Sequence, residues 1–228
     1  MKKNILFLAF FLIPLGIIGQ AWTYSNKISS TEDIIAINSS VDINGNVYIF
    51  CHFYGSLTAP DGEVFDSYGG RDYFIIKFTE LGKYEWLRQF GSNEDEFTFG
   101  DISTSSDGYI YAAGGFKGTL HYSPTDTIVS SGGFDMFLVK LDFDGNTIWC
   151  KDYGQGAKHQ RASALTVLEN PNEILISGFF ADSITLNNDT TLYSQNAFPD
   201  IFFSKITSEN GEVVWSKKIS YLNNPLTG

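Results

Sequence analysis

The sequence predicts an all-β protein built as an array of about three four-stranded antiparallel units. One observation is a fixed period: the four tryptophans, Trp22, Trp86, Trp149 and Trp215, stand 64, 63 and 66 residues apart. The other is the strand signal inside each period, where short β-branched and aromatic runs alternate with Asn-Gly or Asp-Gly turns and no useful helical pattern occurs. Such a period indicates units that bury their apolar faces against their neighbours.

Two motifs recur in every period and in the same order. The first ends at the tryptophan and reads GGRDYFIIKFTELGKYEW, GGFDMFLVKLDFDGNTIW and AFPDIFFSKITSENGEVVW, the last with one extra residue in its turn. The second reads GNVYIFCHFYGSL, YIYAAGGFKGTL and EILISGFFADSI, and it places Phe53, Phe116 and Phe180 at one shared position. We therefore predict one repeat domain over residues 22–228, with repeats at about 22–86, 87–149 and 150–215.

The first 21 residues have the pattern of a signal peptide. Lys2 and Lys3 precede an apolar stretch over residues 5–18, and a small-x-small site ends at Ala21. The apolar stretch is shorter than the roughly 20 residues that a membrane-spanning helix needs. We therefore expect cleavage after Ala21 and a secreted or cell-surface protein without a membrane span in the mature chain.

Each repeat is predicted to contain two β-hairpins. Turns at residues 43–46 and 106–108 close inner hairpins, and turns at 144–146 and 210–211 close outer hairpins that end in the tryptophan strand. The long connections between the two hairpins vary most and have room for a further short hairpin. They cover residues 56–68, 119–131 and 183–196. Loops on a rigid scaffold tolerate change, so function specific to one unit is expected there.

Four antiparallel strands in each tandem repeat are typical of a β-propeller blade. The order of Asp, an aliphatic or aromatic run, Lys, a DxDGN-like turn and Trp, followed in the next repeat by GNVY and a Gly-Phe strand, resembles the SBBP-type β-propeller repeats of secreted bacterial proteins. This resemblance covers nearly all of residues 22–220. It implies an extracellular propeller that is commonly part of a longer surface protein, and it implies no particular activity.

Three repeats and one leading strand at Trp22 are fewer than the about four to eight blades that close a propeller ring. We therefore expect an incomplete propeller. Either the chain is the N-terminal part of a longer gene product, or its open edges are covered in trans. Unpaired edge strands invite self-association, so the second alternative predicts pairing between copies.

The residues shared by all repeats are interpreted as structural. They comprise an aspartate, a lysine five residues later, the tryptophan and the phenylalanine of the second motif. Their numbers are Asp72, Asp135, Asp200, Lys77, Lys140, Lys205, Trp22, Trp86, Trp149, Trp215, Phe53, Phe116 and Phe180. An element present in every unit serves the unit, so we expect aspartate to begin a strand and lysine to leave its core face, with an ion pair between blades as one outcome. The aromatic residues are expected to anchor neighbouring sheets.

The net charge of −11 argues against nucleic acid as a partner, because nucleic acids are bound through clustered Lys and Arg. Cys51 and Cys150 could form a disulfide in an exported protein, but their apolar surroundings in the sequence favour buried, unpaired thiols. No cofactor is predicted. The segments 42–46 and 142–146 resemble the start of a calcium loop, but the glycine comes too early and no distant Glu follows. Hairpin turns explain both segments, with a weak surface Ca²⁺ site as the alternative.

The three histidines, His52, His121 and His159, lack the short spacing of a zinc site, and no nucleophile, metalloprotease or phosphate-loop motif occurs. The leading hypothesis is therefore a secreted, non-enzymatic module that binds an unidentified protein or glycan at the cell surface. One alternative is a glycan-active or quinoprotein-like propeller enzyme, which needs a carboxylate pair or an axial cofactor pocket. Another is a structural scaffold that closes by pairing of β-edges.

Overall fold

The computed structural model describes residues 27–154, 158–169, 172–187, 190–194 and 198–220, with residues 187 and 190 described in the main chain only. All regular elements in this part of the chain are β-strands, and no helix within it could cross a membrane. Trp22 and the predicted signal peptide lie outside the described residues.

Nineteen strands follow one another along the described part of the chain. In order they are β1 (Ser29–Ser30), β2 (Ile34–Val41), β3 (Val47–Phe53), β4 (Ser56–Thr58), β5 (Val64–Asp66), β6 (Asp72–Phe78), β7 (Tyr84–Phe90), β8 (Gly100–Thr104), β9 (Ile110–Phe116), β10 (Thr119–His121), β11 (Thr127–Val129), β12 (Asp135–Leu141), β13 (Thr147–Tyr153), β14 (Gln160–Glu169), β15 (Asn172–Phe180), β16 (Ser183–Asn187), β17 (Thr190–Tyr193), β18 (Asp200–Thr207) and β19 (Val213–Ile219).

Twelve of these strands form three four-stranded antiparallel sheets, which we call the first, second and third blades. The strand orders are β2-β3-β6-β7, β8-β9-β12-β13 and β14-β15-β18-β19. Neighbours in each blade are joined in chain order. The hairpins β2–β3, β8–β9, β12–β13 and β18–β19 form at the predicted turns. The predicted fold class, an all-β array of four-stranded antiparallel blades, is confirmed.

The long connection in each blade contains the further short hairpin for which the sequence has room. β4 pairs with β5, β10 with β11, and β16 with β17, and β1 adds a third strand beside β4. We call these the connection hairpins. Leu57, Leu120 and Ile184 lie at the same position in the three hairpins and are fully buried. Each hairpin is therefore fixed to its blade by one apolar anchor.

The Asp-Gly-Asn turn of the second blade shows why these sequences form hairpins. Gly145 has φ +80°, a left-handed conformation that glycine adopts without strain. Its N–H donates to Asp142 O at 3.0 Å, and the Asp142 carboxylate accepts the N–H groups of Asp144 and Asn146. Asp42 makes the equivalent bonds in the first blade. Both segments that resemble a calcium loop are thus hairpin turns whose carboxylate oxygens accept main-chain hydrogen bonds.

The main cores lie between successive blades. We call the face of a blade that packs on the next blade its downstream face, and the opposite face its upstream face. The first core joins the downstream face of the first blade to the upstream face of the second, with Tyr73, Trp86, Phe137 and Val139 among its buried residues. The second core repeats this arrangement between the second and third blades. The protein is therefore held together by stacking of neighbours.

The shared phenylalanines belong to the buried clusters of the three blades, Phe116 and Phe180 in the two cores between blades and Phe53 in a third cluster of the first blade. Phe53, Phe116 and Phe180 are fully buried at the ends of β3, β9 and β15. Each meets a second phenylalanine of its own blade edge-on. The ring centroids are 5.8 Å apart for Phe53–Phe74, 6.2 Å for Phe116–Phe137 and 6.4 Å for Phe180–Phe202. This repeated pair is the most uniform aromatic contact of the three blades.

Both cysteines are free thiols. Cys51 lies in β3 and Cys150 in β13, in different core clusters. Burial raises the pKa of the Cys51 thiol to about 12 and also raises the pKa of Cys150. The expectation of unpaired thiols is confirmed, and both stay protonated at neutral pH.

Candidate functional site

The shared lysines bind the next blade through main-chain oxygens. Lys77 Nζ donates to Phe143 O at 3.0 Å, and Lys140 Nζ donates to Ser208 O at 2.9 Å, in each case in the outer turn of the following blade. The ion pairs of this position lie within one blade, Lys77 with Glu85 at 2.8 Å and Lys205 with Glu173 at 2.8 Å. The contact that the shared lysine makes with the next blade is therefore a hydrogen bond to a carbonyl oxygen, and not the ion pair considered from the sequence.

The shared tryptophans cover the glycine of the same turn. A Cβ placed on Gly145 would lie 3.1 Å from ring atoms of Trp86, and one placed on Gly211 would lie 3.2 Å from Trp149. Trp86 is 8% exposed, whereas Trp215 in the third blade is 36% exposed. The residue therefore packs between blades where a following blade is present.

The shared aspartates begin β6, β12 and β18 and are all buried. Asp72 Oδ2 accepts the N–H of Tyr68 at 2.9 Å and the side-chain amide of Gln89 at 2.6 Å. Asp135 Oδ2 accepts the N–H of Ser131 at 2.7 Å. These bonds tie the ends of the first and second connections to the strands that follow them.

A buried carboxyl pair, Asp72 with Glu96, joins the first two blades. Asp72 is 0% and Glu96 is 1% exposed, and their carboxyl groups are within hydrogen-bonding reach of each other. In the described part of the chain neither oxygen of Glu96 has another hydrogen-bond partner with good geometry. Burial, together with the neighbouring Asp72 charge, raises the pKa of Glu96 to about 9, although nearby Ser92 favours the charged form. Glu96 is thus a neutral acid at pH 7.

The equivalent position in the next repeat supports this protonation state. Gln160 stands 64 residues after Glu96, is fully buried, and donates its amide to Ser183 O at 2.8 Å. Glutamine has the shape of a protonated glutamate, so the two blade junctions carry the same neutral group. Sequence inspection missed Glu96 because its position carries Glu once and Gln once, and only the alignment of the two junctions indicates it. Burial also keeps any substrate from this pair.

An open cleft of about 740 Å³ lies at the outer side of the junction between the first two blades. Its floor is formed by β7, and its walls by the connection hairpins of both blades and by residues 145–149 of the second blade. The elements that line this cleft come from the first and second repeats, and the packed cores of these blades fix their positions. A volume of this size is within the range of small-ligand sites.

Aromatic and polar side chains alternate around this cleft. Tyr68 stacks on His121 with ring centroids 4.5 Å apart and an interplanar angle of 12°, and Tyr68 remains 46% exposed. Tyr122 lines the opposite wall, with the carboxylates of Glu63 and Asp126 at the rim. Aromatic faces beside carboxylates and amides offer apolar surface to the C–H face of a sugar ring and acceptors to its hydroxyl groups.

Arg88 on the cleft floor is already engaged by the protein. Its Nε donates to Gly145 O and one terminal nitrogen donates to Asp144 O, both at 3.0 Å. The guanidinium carbon also lies 5.4 Å from the Trp86 ring centroid. Arg88 therefore fixes the second blade's turn against the first blade and sets the shape of the cleft. Among the described residues, no three His, Cys, Asp or Glu side chains are grouped closely enough to hold a metal ion.

Comparisons with known proteins identify no family for this chain. No family model matches the chain, and no curated protein is significantly similar to it. One solved structure with similarity is a protein of unknown function from Bacteroides caccae, which is 10% identical over 81% of each chain with a TM-score of 0.30.

Proposed function

We propose that this protein is a secreted, non-enzymatic propeller-like module that binds a ligand at the cell surface. The signal-peptide pattern and the absence of a catalytic motif in the sequence support export and binding. The observation that carries the proposal is the cleft between the first two blades, because it combines exposed aromatic rings with polar acceptors on a rigid frame.

The cleft favours a glycan over a folded protein as the ligand. Protein interfaces of standard size bury about 800 Å² on each partner and are comparatively flat. The cleft is concave, and two short connection hairpins form its walls. A short stretch of an extended polysaccharide fits this shape, with a ring against Tyr68 or Tyr122.

The enzyme alternative lacks support at the same site. Glycoside hydrolysis needs an acid with a raised pKa beside a second carboxyl group that faces the substrate. Among the described residues, the carboxyl groups whose pKa is raised are Asp72, Glu96 and Asp135, and each is at most 1% exposed. A substrate in the cleft does not reach them.

Replacing Tyr68 and Tyr122 with alanine tests the proposal. We expect each substitution to lower glycan affinity about tenfold, or about 1–2 kcal/mol, because a stacking face is lost. Glycan arrays identify the ligand, and calorimetry measures the affinity. The matched control is Tyr193→Ala, which removes a tyrosine that is 62% exposed in the connection hairpin of the third blade, away from the cleft.

The control separates ligand contact from general surface effects. Tyr193→Ala is expected to keep full affinity, and Tyr68→Ala and Tyr193→Ala are expected to keep the melting temperature within a few degrees. Tyr122→Ala removes a ring that packs against the first core, so circular dichroism checks that this variant remains folded. Equal weakening by Tyr193→Ala, or no binding across a broad panel of bacterial and host glycans, would contradict glycan binding in this cleft.

A further inference from the structure

The one cation in the cleft between the first two blades is bound by the protein itself. Among the described residues that line the cleft, Arg88 is the only lysine or arginine. Each of its three nitrogens donates to a main-chain oxygen, those of Gly145, Leu87 and Asp144, at 2.9–3.0 Å. A guanidinium group binds a carboxylate or a phosphate best when its N–H groups are free to point at the anion. An anionic ligand would therefore have to compete with three main-chain acceptors for Arg88.

The uncharged side-chain donors that line the cleft are committed in the same way. The Gln89 amide nitrogen donates to two oxygens of the first blade, at 2.6 and 2.8 Å. The other donors bind within the second blade, Asn146 to the carboxylate of Asp142, Ser123 to that of Asp126 and Thr147 to the main chain of Tyr122. Trp149 Nε1 has no partner in the described part of the chain, but it is buried. The side-chain donors within reach of a ligand are therefore the neutral hydroxyl groups of Tyr68 and Tyr122.

Carboxylate acceptors stand on both walls of the cleft. Glu63 lies in the turn of the first connection hairpin and Asp126 in the turn of the second, and both residues are exposed. The five ion pairs of the described residues involve neither carboxylate. Asp126 Oδ2 accepts the hydroxyl groups of Ser123 and Thr125, which leaves Oδ1 for a ligand. Each wall thus combines one carboxylate with the tyrosine of the same connection.

This combination of rings and carboxylates suits a sugar that carries an amino group. The apolar face of such a sugar packs on tyrosine, and its ammonium group donates to a carboxylate. The net charge of −11 adds a potential of the same sign as the two carboxylates and attracts cationic ligands. A sugar acid would bring its own carboxylate beside Glu63 or Asp126, and like charges at this distance repel. The charges of the cleft therefore distinguish amino sugars from acidic sugars.

We propose that the cleft binds a polysaccharide whose sugars carry free amino groups. This inference rests on the proposed function and adds the charge of the ligand to it. Ammonium groups pair with Glu63 and Asp126, while the sugar rings pack on the tyrosine of each wall. Neutral sugars keep the ring contacts and lose the ion pairs, and acidic sugars are rejected by repulsion.

Calorimetry with three soluble tetramers tests the charge preference. Glucosamine and N-acetylglucosamine tetramers differ only in the acetyl groups that remove the charge, and the galacturonic acid tetramer is negatively charged. At about pH 5.5 the amino groups are protonated and surface carboxylates are ionised. We expect the glucosamine tetramer to bind about tenfold more tightly than the N-acetylated one, and the galacturonic acid tetramer to show no measurable binding. The preference should shrink in about 0.5 M salt, which screens exposed charges.

Glu63→Gln and Asp126→Asn locate this preference in the cleft. Each substitution is expected to weaken binding of the glucosamine tetramer about threefold and to leave binding of the N-acetylated tetramer unchanged. The double variant should bind the two tetramers almost equally. Glu209→Gln is the matched control and should change neither affinity, because it removes the same charge from an exposed residue in the outer turn of the third blade. Tyr68→Ala should weaken binding of both tetramers alike, since ring packing is common to them.

Tetralysine carries similar charge without sugar rings and is expected to bind about tenfold more weakly than the glucosamine tetramer. Equal binding of the two would overturn the proposal in favour of a cationic peptide. Equal affinity for the glucosamine and N-acetylglucosamine tetramers, or binding only of array glycans without amino groups, would overturn the charge preference and leave glycan binding in place. A preference that survives the double variant would overturn it as well. Absence of binding to every tetramer and every array glycan would contradict the proposed function itself.

Discussion

Replacing Glu96 with glutamine is expected to remove most of the pH dependence of stability between about pH 6.5 and 8.5. Glu96 has a pKa raised from 4.5 to about 9 in the folded protein, mainly by burial. The folded state therefore holds a proton that the unfolded state has released. Its contribution to stability is fully present below about pH 4.5 and is lost as pH rises through about 9, with a slope near 1.4 kcal/mol per pH unit.

Urea unfolding at several pH values measures this slope. The range above pH 6.5 is chosen because Asp72 and Asp135, whose pKa values are raised to about 6, are then mostly ionised. Glu94→Gln is the matched control, since Glu94 lies two residues away at the surface, paired with Lys117 at 3.3 Å. Glu94→Gln should keep the slope of the unfolding free energy against pH that the parent protein shows. If Glu96→Gln also keeps the parent slope, Glu96 is ionised in the folded protein and its assignment as a neutral acid is wrong.

Replacing Phe116 with alanine is expected to destabilise the protein by about 3–5 kcal/mol, because the surrounding sheets cannot close over the cavity. Phe116 is fully buried, packs edge-on against Phe137 and lies in the core between the first two blades. Phe116→Leu should cost less than half as much, since most of the buried volume is kept. Denaturant unfolding followed by circular dichroism measures both values.

The two other members of this position provide an internal comparison. Phe53→Ala and Phe180→Ala should each cost a similar amount, because both residues are fully buried in the same edge-on pair. Phe99→Ala, at a residue that is 54% exposed, should change stability by about 0.5 kcal/mol or less. A cost for Phe116→Ala no larger than this control would contradict the assignment of this position to the core.

Much of the architecture follows from sequence because its causes are local. The turns at residues 43–46 and 144–146 form where Asn-Gly and Asp-Gly stand between strand patterns, and glycine adopts the left-handed conformation that the turn needs. The spacing of Trp86 and Trp149 gives the length of one repeat, and this length gives the number of repeats in the chain. Burial of Phe116 likewise follows from an apolar position shared by all copies.

The contacts between blades could not be predicted in the same way. Lys77 reaches a carbonyl oxygen 66 residues away, and nothing in the local sequence distinguishes this bond from an ion pair. The cleft combines Tyr68 with Tyr122, which belong to different repeats and to connections that vary in sequence. The pair of Asp72 with Glu96 could not be predicted for a related reason. Desolvation of a carboxyl group depends on which face of the strands is buried.

Strand pairing is irregular beside each shared lysine, and this limits where residues can be inserted or deleted in such a protein. Strand pairing shifts by one residue between Lys77 and Phe78, between Lys140 and Leu141, and between Lys205 and Ile206. The five-residue interval from aspartate to lysine is the same in every copy, whereas the third outer turn carries an added residue. One residue gained inside that interval would exchange the two faces of the strand. Insertions and deletions are therefore tolerated in the outer turns and connection hairpins. Related sequences can vary in length there while each strand keeps the same side chains on each face of its sheet.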